Sequence, residues 1–133
     1  MTPTLELQRT IVLALKADVT LAAIVGDRVY DRAPQNVVFP FVQIGEMQQV
    51  TDDADCVTGF EVYIDIHSWS RSYGAVECRQ MTSAVHTALH DVDLVLTGAT
   101  LNNIRMVSQR EITDPDGETT HGVSTFRALV DMA

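Results

Sequence analysis

Four histidines, two cysteines and the acidic run of Asp52, Asp53 and Asp55 are the side chains with the chemistry to hold a metal or drive a reaction. His86 and His90 stand four apart in a helical pattern, so both rings reach one side of a helix and could share a metal ion. The residue after His86 is Thr87, where the zinc-protease pattern has Glu, and the helix dipole by itself favours a histidine near a C-terminus. A polar helix face therefore outweighs a metal pair. A third ligand from His67 or His121 is geometrically open, yet no spacing demands it.

Counting from Asp52, the sixth residue is Val57 where a calcium loop has Gly, and the twelfth is Tyr63 where it has Glu. The run reads as a solvated acidic loop. Ser68 and Ser70 lack the flanking glycines of a nucleophile elbow, and neither Cys56 nor Cys78 lies in a nucleophile motif. Sequence leaves a spatial Cys–His pairing open. The seven glycines are dispersed, reading as caps, turns and bulges rather than a phosphate cradle. The residues alone give an α+β domain with no visible active site, no cofactor site and no metal site.

These side chains need a scaffold, and 133 residues is the size of one domain, 1–133, with a single core. Hydrophobic residues make up 46% and charged residues 20%, values that fit a globular protein rather than a disordered or membrane one. No apolar run is long enough to span a bilayer, and the start lacks the pattern of a secretory signal, so a cytoplasmic location is expected. Two cysteines are too few for a disulfide framework and read as reduced and structural. Nine basic against eighteen acidic residues give a net charge of −9, the opposite of a footprint that grips nucleic acid. DNA could pass such a protein without being held.

Thr2 can cap a first helix that opens at Pro3 and runs to about Ala17, with Leu7, Ile11, Ala14 and Leu15 as its apolar stripe. Asp18 can cap a second, short helix in which Leu21, Ala22 and Val25 face inward and Gly26 supplies the stop. Arg28 to Pro40 reads as an extended loop leading to a strand at Phe39 to Met47, which Pro40 places at an edge or rim. Gln48 to Cys56 reads as a polar loop. Strict alternation marks a strand at Phe60 to Ile66, with Phe60, Val62, Ile64 and Ile66 on one face and Glu61, Tyr63, Asp65 and His67 on the other.

Ser72 can cap a helix from about Tyr73 to His90, whose Cys78, Met81, Val85, Ala88 and Leu89 form one stripe. A hairpin closes the chain: Ile104 to Thr113, the turn Asp114-Pro115-Asp116-Gly117, then Thr119 to Val130. The order predicts an α+β fold, an antiparallel or mixed four-stranded sheet with helices packed on one face. The other face then meets water or a partner, and Tyr63 and Trp69 among its charges fit an interface between subunits.

Several ordered segments resemble one known family. They are Asp18 to Gly26, Val29 to Pro34, Phe39 to Gly45, His67 to Arg71, Leu89 to Asp91, and the hairpin pieces Asp114 to Gly117, His121 to Val123 and Phe126 to Ala128. Together, from about Leu5 to Asp131, they are similar to the tail completion, or tail terminator, family of long-tailed bacteriophages and gene transfer agents. That resemblance implies a non-enzymatic virion structural protein. It would form a homohexameric ring at the head-proximal end of the tail tube, stop tube growth and present a surface for head–tail joining. Its partners would be further copies of itself, the tail tube protein and a head connector or stopper. It would be found first in the host cytoplasm and then at the tail–neck junction of the particle.

Against that background Asp52, Asp53 and Asp55 are expected to line the channel, repelling DNA as it passes. A related neck connector or stopper is the nearest alternative. A small metal- or cysteine-dependent enzyme using His86, His90 or a cysteine is the alternative from another class.

Overall fold

A computed structural model describes residues 3–53 and 58–132. The elements run α1 (Pro3–Ala17), α2 (Val19–Val25), β1 (Val29–Tyr30), β2 (Phe41–Thr51), β3 (Gly59–Ser70), α3 (Val76–Leu89), β4 (Ala99–Thr113) and β5 (Thr120–Met132). The strands form one mixed sheet in the order β1-β2-β3-β5-β4, in which β1 is parallel to β2 and the remaining neighbours are antiparallel. The α+β expectation holds, with five strands in place of four. The extra strand is two residues long and shows no alternation; it is held because Arg28 C=O accepts from Val42 N–H at 3.0 Å and the Val29 side chain is buried.

Other boundaries shift for local reasons. β2 continues to Thr51, past the bulge between Ile44 and Met47, so Gln48 to Thr51 are strand rather than loop. Their polarity reflects two-sided exposure, since cross-strand pairing with Phe60 to Tyr63 suffices to hold them. β3 likewise runs on to Ser70. α3 starts at Val76 behind Ala75, without a side-chain cap: the Ser70 hydroxyl, not a helix amide, is what Ser72 N–H reaches, at 3.3 Å. The expected cap Thr2 lies outside the described residues, as do Asp55 and Cys56.

Where the sequence placed a cap, a stop and a turn, the structure shows all three. Asp18 accepts from Leu21 N–H at 2.9 Å, and Gly26 ends α2 at φ +62°. At the hairpin Asp116 accepts from the N–H groups of Glu118 and Thr119, each at 2.8 Å, while Gly117 takes φ +72°.

The helices cover one side of the sheet. Leu7, Ile11 and Leu15 of α1, Leu21 and Val25 of α2, and Met81, Val85 and Leu89 of α3 are all fully buried against Val42, Val62, Ile64, Ile66, Ile104, Phe126 and Ala128. Each such burial contributes about 1.5–3 kcal/mol. Beneath the start of α3 the bed turns small and polar, with Ser68, Ser70, Gly122 and Ser124. A Cβ on Gly122 would lie 2.7 Å from Thr82 Cγ2 and 3.0 Å from Cys78 Sγ, so the absent side chain is what lets the helix approach.

Glu6 pins α1 to the α3–β4 connection. Its buried carboxylate accepts from Arg9 Nη2 at 2.7 Å and from Thr97 N–H at 2.7 Å, and these bonds, that from Arg9 first, hold it down at about 2.

Candidate functional site

The side of the sheet away from the helices is the surface on which the structure gathers most of the singled-out polar and aromatic residues. Strand register sets it out in rows: Phe41, Trp69, His121 and Ile112; then Gln43, His67, Val123 and Arg110; then Tyr63 beside Arg127. In the first row Trp69 stacks on His121 with centroids 3.7 Å apart and planes 7° apart, and stacks on Phe41 at 6.3 Å. Phe39 meets Phe41 edge-on at 4.9 Å, and the Arg71 guanidinium lies 4.0 Å over the Phe39 ring.

His67 Nδ1 and His121 Nε2 stand 2.7 Å apart, so one ring donates the N–H that the other accepts. That bond admits only one proton between the two nitrogens. Burial pushes both rings toward the neutral form, His121 to about 4 with His67 and Arg110 adding to the effect. Further along, the Tyr63 hydroxyl donates to Glu61 Oε1, and Arg127 Nη2 donates to Glu61 Oε2 at 2.8 Å. Arg127 and Tyr63 lower the Glu61 carboxyl, and Glu61 in turn raises the phenol. Thr125 donates to Asp65 at 2.6 Å.

Tyr63 and Trp69 thus share one face, as expected, but both are half-buried and satisfied by neighbours in their own chain. They stiffen the surface rather than stand out from it. Asp52 and Asp53 are exposed at the end of β2, where Asp52 N–H donates to Gly59 C=O at 2.9 Å and Asp53 Oδ1 accepts from Gly59 N–H at 3.3 Å.

The helical histidines are on the other side of the sheet. His86 and His90 stack at 4.5 Å, but His90 is engaged elsewhere, because its Nδ1 accepts from Met106 N–H at 2.9 Å while its Nε2 stands 3.3 Å from Asp91 Oδ2. The sheet separates this pair from His67 and His121, so neither of those joins it as the third ligand that the sequence left open. Among the described residues no group of three or more His, Cys, Asp or Glu is arranged to hold a metal ion. Cys78 is buried with its thiol pushed up to about 11, protonated at neutral pH, and its Sγ lies 3.8 Å from Ser68 C=O. Buried Ser68 Oγ and Ser124 Oγ have no hydrogen-bond partner among the described residues.

Sequence reasoning missed the His67–His121 contact, the His90–Met106 bond and the Glu6 anchor. The first had a signal: the two histidines lie on strands whose alternation puts both on the outer face, and only the register between β3 and β5 was missing.

Such a surface, with Glu61, Asp65, His67 and His121 engaged by neighbours in their own chain, belongs to a two-layer α+β module whose helices cover only one side of its sheet. Comparison with known proteins gives the particular family. The model of the tail completion protein gp17 family matches residues 9–131, and the chain belongs to that family. It is 29% identical over 92 residues to the tail completion protein gp17 of Bacillus phage SPP1, covering 69% of this chain and 68% of that one. A chain in the structure of the virion of a native gene transfer agent particle superposes with a TM-score of 0.90 at 25% identity, over 96% of each chain. No described helix is long and apolar enough to cross a membrane.

Proposed function

We propose that this chain is a structural ring protein that completes a phage-like tail tube at its head-proximal end and joins it to the head connector. The observation that carries the reading is the near-complete superposition, TM-score 0.90 over 96% of both chains, on a component of an assembled gene transfer agent virion. Family membership over residues 9–131 supports the same role.

A closed ring needs two different surfaces on each copy, one for either neighbour, and a sheet with two edges supplies them. Six copies is the number we assign to it, with Tyr63 and Trp69 on the face turned to a neighbouring subunit. The chain's charge of −9 does not forbid closure, because at physiological salt a charge reaches only about 8 Å. We place Asp52, Asp53 and Asp55 on the channel side, where they keep DNA from adhering. Assembly would occur in the host cytoplasm before the protein enters the particle.

The test is electron microscopy of particles made without this chain, joined to native mass measurement of the purified protein with isolated tail tubes and with head portals. Overlong or unattached tails, and a multi-copy complex on tubes, are expected. Normal-length tails joined to filled heads would end the reading, and binding to portals in preference to tubes would move the protein to the stopper position.

A further inference from the structure

The fold plugs part of each sheet edge and leaves the rest open. On one edge β1 pairs with Val42 and Gln43 only. On the other, the end of α3 imitates a strand: Asp91 N–H donates to Ile104 C=O at 2.8 Å, and His90 Nδ1 takes Met106 N–H at 2.9 Å. Among the described residues the outward backbone of β4 is also open at Ala99 to Asn103, but the two longest stretches without an outward partner are Glu46 to Thr51 on β2 and Ser108 to Thr113 on β4. Neither stretch contains Pro or Lys, the usual guards of an exposed strand.

We propose that these two open stretches pair with each other between copies of this chain, β4 of one copy adding antiparallel to β2 of the next. The proposal rests on the ring reading above and names the contact that closes the ring. Three features fit this occupant. Direction comes first: β2, β3, β5 and β4 alternate, so β2 and β4 run oppositely, and a neighbour set alongside without being turned over presents β2 antiparallel to β4. Length is the second, since five residues on each side, 46–50 against 108–112, give matching ladders of about 17 Å.

Charge and apolar surface are the third. Glu46 and Arg110 are both exposed on the uncovered face, and neither has an ion pair among the described residues. Val50 and Ile112 are 41% and 42% exposed, one on each stretch. The register that pairs 46–50 with 108–112 keeps this face continuous and sets Glu46 diagonal to Arg110, a distance that side chains of this length bridge. Because the two stretches differ, the contact is head-to-tail, the kind that forms a ring where the rotation from copy to copy closes.

The experiment is charge reversal read by native mass on isolated tail tubes. Glu46→Arg and Arg110→Glu are each expected to lower ring occupancy at least tenfold, and the double variant to return it to within threefold of the original chain. Both positions are exposed, and an unchanged unfolding midpoint confirms that each variant folds. Hydrogen exchange supplies a second reading: amides in 46–51 and 108–113 should slow at least tenfold on assembly, while that of Met106 is already slow in the free protein. Single reversals that leave rings intact, a double no better than the singles, or no slowing in these two stretches would each overturn the edge pairing while leaving the ring reading standing. An original chain that binds tubes as one copy, or not at all, would instead overturn the ring reading and this contact with it.

Discussion

The two faces of the sheet are built on different terms. Facing the helices, Val62, Ile64, Ile66, Phe126, Ala128 and Val130 are apolar and buried, and each is held by whatever large side chain fills the space above it. Facing away, Glu61, Tyr63, Asp65, His67 and Trp69 are half-buried among partners on β5, each fixed by a particular neighbour: Arg127, Thr125, His121. The first face draws its stability from area, the second from pairing. Area tolerates swaps of similar volume, whereas pairing responds to protons and to the loss of single atoms.

The largest expected effect breaks the apolar face. Phe126→Ala removes the largest fully buried side chain and should cost about 3–5 kcal/mol, read as a lower urea midpoint with little change in slope. Next, acid separates the two faces. His121 is lowered to about 4, so the folded state binds fewer protons than the unfolded chain; its contribution is complete above the ordinary histidine value of 6.5 and is lost as pH falls through about 4. Glu6, on the helix side and lowered from 4.5 to about 2, keeps its contribution until pH drops below 4.5. Unfolding midpoints measured from pH 8 to pH 3 should therefore fall in two stages, and His121→Phe should shrink the upper one, leaving the part due to His67 and the Glu6 stage in place. The smallest effect sharpens the contrast: a double-mutant cycle on Trp69→Leu and His121→Ala should give a coupling of about 0.5–1.5 kcal/mol, where additive losses would reduce the stack to mere proximity.

The same contrast explains what could be read beforehand. Alternation at Phe60 to Ile66 and the stripe through Cys78, Met81 and Val85 announce the buried face, because burial leaves a period in the sequence. Asp18, Gly26 and Asp114 to Gly117 announce their cap, stop and turn through local chemistry. β1 has no period to show in two residues, and Ser72 carries the right residue type for a cap that Ala75 occupies instead. On the outer face the residues are named correctly but their partners are not, since His67 meets His121 across 54 positions and only register brings them together. The acidic run yields least: Asp52 and Asp53 sit at a strand end, and Asp55 lies outside the described residues.

The bond from Thr97 N–H to Glu6 ties together residues 91 apart in the chain. During synthesis the first helix leaves the ribosome well before its anchor exists, so its final seat must wait for α3 and the connection after it. Contacts of such long sequence separation are slow to form because the intervening chain must first be gathered in. The amino-terminal helix is therefore expected to gain its final seat only after residue 97 has been made and gathered in.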